Sequence, residues 1–219
     1  MSIQDKVYVT LCTLFSVVIV TGNLVYQKFV SLPLLPFHTF ELSAGAILYP
    51  FTFLLTDLIT EFQGKERANF CVSLGIGMNI IVVFLITIID YLSATSWSKV
   101  DSITFHNVFG MFGVSFLGSI IACYTAQKID IIIYTWIREK TKGQFLWVRS
   151  IGSTAISLFI DTSIVNIFLS VNGILPFERL GWIIFNSYLY KLFFTVWSIP
   201  LFYISVNTIK RLTRVPLKI

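Results

Sequence analysis

The chain predicts an all-α integral membrane protein of six transmembrane helices with both termini cytoplasmic. Three observations carry that prediction. Six long apolar segments lie at roughly residues 7–28, 40–61, 69–90, 106–127, 147–171 and 182–209. Each meets or nearly meets the ~20 residues that one bilayer crossing requires. Charged residues make up 12% of the chain and mean hydropathy is +0.82, whereas about a quarter of a soluble domain is charged. The basic residues are also unevenly spread. With both ends inside, Lys6, Lys65, Arg67, Lys128, Arg138, Lys140, Lys142, Lys210, Arg211, Arg214 and Lys218 face the cytoplasm. Only Lys28, Lys99 and Arg179 then face outward, as the positive-inside rule asks. Trp97, Trp136, Trp147 and Trp182 fall near span ends, where amphipathic rings sit. All 219 residues are read as one membrane domain, 1–219, with no room for a sizeable soluble one.

The first span lacks the small-residue cleavage site of a signal peptide and is too long for one, so it is expected to stay. Asn23 near its end is either a helix–helix hydrogen bond or a ligand contact. The link that follows, with Pro33, Pro36, His38 and Glu41, is a candidate cap over an outer cavity. His38 reads as an interfacial residue and Glu41 as a headgroup-level one. In the second span Pro50 removes a backbone donor and predicts a kink. Asp57 and Glu61, four apart, share a helix face, with Thr56 and Thr60 beside them. Glu61 is read as near the inner boundary, and Gly64 as a C-cap. Gly75, Gly77 and Asn79 in the third span are packing positions. In the fourth, Gly110, Gly113, Ser115, Gly118, Ser119 and Ala122 allow close helix approach. That span ends in YTAQKID, placing Tyr124, Gln127 and Asp130 near the cytoplasmic boundary. His106, at its other end, has no second metal-type ligand beside it.

The fifth span organises the rest. Arg149, Ser153, Ser157 and Asp161 recur every fourth residue and occupy one sector of the helix. The opposite side is apolar, so the ladder is expected to face an interior cavity. An ion at the bilayer centre costs roughly 2.5–3.5 kcal/mol on insertion scales, which makes Asp161 a functional candidate. In the sixth span Lys191 lies among Ser187, Thr195 and Ser198, making a second polar face, unless its side chain snorkels outward. Pro200 predicts a break. The basic tail points to an anionic leaflet rather than to nucleic acid.

Asp57, Arg149, Asp161 and Lys191 balance two negative against two positive intramembrane charges. They are either structural ion pairs or the lining of a site for a polar solute. Ser153, Gln127 and Asn23 add uncharged donors and acceptors to the second reading. Enzyme motifs are missing: there is no HExxH, Walker A or GxGxxG sequence. An intramembrane hydrolase built on Asp57 and Asp161 is disfavoured because Arg149 and Lys191 would hold those carboxylates ionised. Cys12, Cys71 and Cys123 match neither a disulfide framework nor a zinc site. No cofactor or metal is expected.

The stretches PFTFLLTDLITEFQGKERA, YTAQKID, WVRSIGSTAISLFIDT and YLYK resemble the queuosine-precursor transporter family. That family is related to the vitamin-uptake transporters and similar in architecture to the substrate-binding components of energy-coupling-factor transporters. The likeness runs over nearly the whole chain. Leu158 stands where the family commonly has Gln. The resemblance implies uptake of a 7-deazaguanine (preQ0, preQ1 or queuine) across the inner membrane, with an energising module of unknown nature as a candidate partner. Matching positions are Asn23, Asp57, Glu61, Gln127, Asp130, Arg149, Ser153, Asp161 and Lys191. A guanine-like ring offers an N–H and an amino group side by side, a fork that one carboxylate accepts. Asp161 is assigned that role, with Lys191 or Asn23 at the ring carbonyl. Asp57 and Arg149 are assigned a supporting or gating pair.

Overall fold

A computed structural model describes residues 1–26, 28–35, 38–110, 113–173 and 175–213. Pro36, Arg214 and Lys218 lie outside the described residues, as do the side chains of His38, Glu41 and Ser115. Helix α1 (Ile3–Leu24) opens on a capping box, in which the Ser2 hydroxyl accepts from the Asp5 N–H and the Asp5 carboxylate accepts from the Ser2 N–H. It runs to the first link, which is an antiparallel hairpin of β1 (Phe29–Leu35) and β2 (His38–Ser43). The sequence reading had placed residues 40–43 in the second span. They alternate instead, with Phe40 and Leu42 buried while Thr39 is exposed, the period of a strand. Pro33 is tolerated because the register slips between Leu32 and Leu35. The hairpin docks against the helix that carries Tyr190, whose ring meets that of Phe40 edge-on at 5.6 Å.

Ser43 then caps α2 (Ala44–Gln63), its hydroxyl accepting from the Gly45 N–H. Where α1 and α2 cross, a Cβ at position 45 would run into the Gly22 carbonyl, so glycine is what allows the two backbones to touch. Helix α2 continues through Pro50. Gly64 alone joins it to α3 (Lys65–Asp90), with a φ of 86° that a side chain would strain. One face of α3 is left bare: Phe70, Leu74, Met78, Ile81, Leu85 and Ile88 are exposed at helical spacing, the pattern of a lipid-facing surface.

A short α4 (Ser102–Phe109) precedes α5 (Gly113–Lys140), the longest helix among the described residues. The predicted fourth span overlapped both and stopped at 127, so it began too early and missed nearly half of α5. His106 does have a partner, since its Nδ1 lies 2.6 Å from the Asp90 carboxylate. Helices α5 and α6 (Leu146–Val171) pack side by side as a hairpin whose turn holds Lys142 and Phe145 at positive φ. Helix α7 (Phe177–Trp197) and α8 (Ile199–Thr213) meet at a 44° bend beside Pro200. Beyond the bend, Phe202 and Val206 of α8 join Phe15, Ile59 and Val72 in the main apolar core.

Among the described residues five helices are long and apolar enough to cross a membrane, and the bent α7–α8 pair makes a sixth if taken as one span. The chain is therefore a multi-pass, helical membrane protein with one small hairpin.

Candidate functional site

Helices α2, α5 and α6 turn their polar faces toward one another, and α7 closes the end nearest the hairpin. Along α6 the residues Arg149, Ser150, Ser153, Ser157 and Asp161 are all buried. The ladder does not line an open cavity at its middle, where Ser153 and Ser157 are 0% exposed and Asp161 is 1% exposed. The groups close on one another instead. An open hollow of about 400 Å³ does exist, but it lies between the starts of α1 and α3, lined by Asp5, Tyr8, Val9, Glu66, Arg67 and Phe70.

Two ionic clusters occupy this polar column. The first sits where α6 begins. Arg149 Nη2 is 2.6 Å from Glu61 Oε1, and Arg149 Nη1 donates to the Gly143 carbonyl at 2.8 Å. Tyr134 donates its hydroxyl to Glu61 Oε2 at 2.9 Å and accepts from Arg149 Nε at 3.3 Å. Arg138 lies 4.0 Å from the same carboxylate. Two assignments are corrected here. Arg149 pairs with Glu61, not Asp57, and Glu61 is fully buried rather than solvated at the boundary. The reason is length: α2 and α5 both run further than the apolar segments suggested, carrying Glu61 and Tyr134 inside. Asp57 instead accepts from the Ser150 hydroxyl and faces Asp130 of α5.

The second cluster lies further along α6. Lys191 Nζ is 2.8 Å from Asp161 Oδ2 and donates to Thr162 Oγ1 at 3.2 Å. The hydroxyl of Tyr49 donates to Asp161 Oδ1. The same ammonium stands 4.5 Å above the Tyr49 ring, a cation–π contact. Lys191 is 7% exposed and does not snorkel outward.

Gln127 ties α5 to α2 between the two clusters. It accepts from Thr56 at 2.9 Å and donates to Thr52 at 3.0 Å, and Thr52 in turn donates to the Tyr49 carbonyl at 2.7 Å. Leu158 packs with Phe53 and Ala126, sealing the column at mid-depth with apolar surface. Ser153 donates to the Ser150 carbonyl at 3.4 Å. Asn23 stands apart on α1, accepting from Ser119 of α5 at 3.0 Å, a helix–helix contact.

Sequence reasoning missed Tyr49, Ser150 and Tyr134 as members of these clusters. A signal was present for two of them. Tyr49 precedes Phe53, Thr56 and Thr60 on one α2 stripe, and Gln127, Asp130 and Tyr134 recur at three and four residues along α5.

The profile of the putative vitamin uptake transporter family matches residues 43–205. A probable queuosine precursor transporter of Bacillus subtilis (strain 168) is 29% identical over 160 residues, 73% of this chain and 69% of that protein. A probable queuosine precursor transporter of Haemophilus influenzae (strain ATCC 51907 / DSM 11121 / KW20 / Rd) is 26% identical over 176 residues, 79% of this chain and 72% of that protein. No solved structure matches the chain significantly.

Proposed function

Because the chain belongs to the putative vitamin uptake transporter family, we propose that it takes up a 7-deazaguanine precursor of queuosine (preQ0, preQ1 or queuine) across the inner membrane, with six spans and both ends cytoplasmic. Family membership already sets aside the hydrolase, since this is a family of transporters. Asp57 and Asp161 are not brought together either: Asp161 is tied to Lys191, and Asp57 accepts from Ser150.

One observation carries the substrate reading. Asp161 presents two buried oxygens, each already holding a donor, one from Tyr49 and one from Lys191. A guanine-like edge carries two parallel N–H donors and can replace both at once. The displaced ammonium then has a new acceptor in the ring carbonyl, while Thr162 keeps it in place. Tyr49 and Tyr188, near this depth, offer flat surfaces to a heterocycle. The exchange swaps bonds of similar kind, so a base can enter a dry interior without stranding a charge. Gln127, Ser153, Asp57, Glu61 and Arg149 support the path on its other side. Asn23 braces α1 against α5.

A binding titration of the purified protein against the deazaguanine series and guanine tests this directly. Asp161→Asn keeps the shape but turns one acceptor into a donor. It should weaken binding by about 1.5–3 kcal/mol, roughly ten- to 150-fold, and because Lys191 loses its counter-ion, thermal unfolding is measured beside the titration to show that the variant is folded. Unchanged binding and uptake in that variant would remove Asp161 from the site. Uptake by the lone protein in liposomes would separate a self-sufficient transporter from a subunit that needs an energising partner.

A further inference from the structure

Among the described residues, the buried ionisable groups of the polar column are Asp57, Glu61, Asp130 and Asp161 against Arg149 and Lys191. Arg149 is bound to Glu61 and Lys191 to Asp161. Arg138, partly exposed, also leans on Glu61. Asp57 and Asp130 are left with no cation. They are 1% and 0% exposed, and the helix register sets them face to face. Gln127 meets Thr56 and Tyr134 meets Glu61, so Asp130, between them on α5, falls opposite Asp57. The two carboxyls lie within reach of each other.

Their oxygens are also short of donors. Neither Asp130 oxygen has a hydrogen-bond partner of good geometry among the described residues, and Asp57 Oδ1 has none either. The hydroxyls nearest Asp130 are those of Ser153, Thr154 and Ser157. Ser153 and Ser157 already donate to backbone carbonyls, at 3.4 and 2.9 Å. A hydroxyl used that way still has lone pairs to offer. Ser150 donates to the other Asp57 oxygen, but among the described residues no cation meets either carboxyl, and two acceptors pressed together are joined by one hydrogen between them.

We propose that Asp57 and Asp130 share a proton, and that this pair is the site through which a proton gradient drives uptake. With one proton between them, the pair becomes a hydrogen bond carrying a single charge, and α2 can close on α5 as it does here. With none, two like charges in a dry interior repel, and the same contact is driven apart. The charged and titratable groups around the pair are Glu61 on α2, Tyr134 and Arg138 on α5, and Arg149 on α6. The Arg149–Glu61 pair neutralises itself. Asp161 on α6 and Lys191 on α7 do so further along. Of the carboxyls, Arg138 reaches only Glu61, at 4.0 Å, so among the described residues no cation contacts either carboxyl of the pair. The link to the base is the hydrogen-bonded run from Thr56 through Gln127 and Thr52 to Tyr49. A shift of α2 against α5 moves Tyr49 relative to Asp161. The inference rests on the transporter reading and not on which base is carried.

Two measurements test it. Infrared difference spectra of the protein in lipid should show a protonated carboxyl band at neutral pH that disappears in both Asp130→Asn and Asp57→Asn. In proteoliposomes, an inward proton gradient of about one pH unit should favour up to roughly tenfold accumulation of labelled preQ1 for one proton per base. That gain should vanish in Asp130→Asn. A band untouched by either substitution overturns the proposal, as does uptake driven by sodium and indifferent to pH. If the variants fail to fold, the wild-type spectrum decides: a neutral-pH band supports the shared proton, and its absence overturns it. If no base accumulates under any gradient, the substrate reading fails, while the infrared band still decides the proton.

Discussion

Arg149 and Lys191 are both cations buried in the same polar column, yet they are held in different ways. The Arg149 guanidinium spends its donors on Glu61, on Tyr134 and on the carbonyls of Gly143 and Gln144. Two of those acceptors are backbone of the α5–α6 turn, so the cluster staples α2, α5 and α6 together. The Lys191 ammonium has three donors and uses two, on Asp161 and Thr162, with a ring face beside it. Its partners are all side chains. The first arrangement cannot open without undoing the turn. The second can exchange partners one for one. A fixed clamp and an exchangeable pair in one column suit a protein that must hold three helices and still admit a solute.

The largest effect should come from breaking the clamp. Arg149→Met leaves Glu61 buried with only the partly exposed Arg138 nearby, and stranding one half of a buried ion pair costs about 3–5 kcal/mol. Thermal unfolding in detergent should show that loss. Adding Glu61→Gln to the same chain should recover most of it, because the uncompensated charge is then gone. A single variant as stable as the wild type would mean that the clamp is not structural.

The contrast between clamp and exchangeable pair was only half legible in the sequence. The α6 ladder was readable because four-residue spacing fixes which side chains share a face, whatever surrounds the helix. Partner choice was not readable. Asp57 and Glu61 share a face one turn apart, so the partner of Arg149 depended on depth alone. Depth was misjudged because charged residues marked the ends of the apolar segments at 61 and 127. Helix α2 runs on to Gln63 and α5 to Lys140, which carries Glu61, Asp130 and Tyr134 into the interior. The hairpin was hidden for a related reason: Phe40 and Leu42 are as apolar as the span that follows, and only the strand pairing separates them. The bend at Pro200 was legible, since proline removes a helix donor in any context.

A matched pair of smaller changes sharpens the comparison. Tyr134 and Tyr49 each donate a phenol hydroxyl to a buried carboxylate, Glu61 and Asp161 respectively. Removing a hydrogen bond to a charged group costs about 1.5–3 kcal/mol. In Tyr134→Phe that cost should appear as lower stability with affinity for the base nearly unchanged. In Tyr49→Phe the stability should fall too, but the affinity should rise, because the base then has no phenol to displace from Asp161. Titration and thermal unfolding of both variants side by side would show this split in affinity. The same affinity in both would erase the distinction between the clusters.

The smallest effect should come from Thr162→Val, which removes one acceptor from Lys191 and little volume. The bond is long, 3.2 Å, and the ammonium keeps Asp161, so unfolding should move by under about 1 kcal/mol. Binding should suffer more than stability. Once a base occupies the Asp161 oxygens, the ammonium depends on the ring carbonyl and on Thr162, and losing the threonine then weighs fully on the bound state. A drop of about 1 kcal/mol, roughly fivefold in affinity, is expected by titration. Equal affinity in Thr162→Val and wild type would mean that Lys191 does not stay beside Thr162 when it releases Asp161. The exchange would then carry the ammonium to some other acceptor.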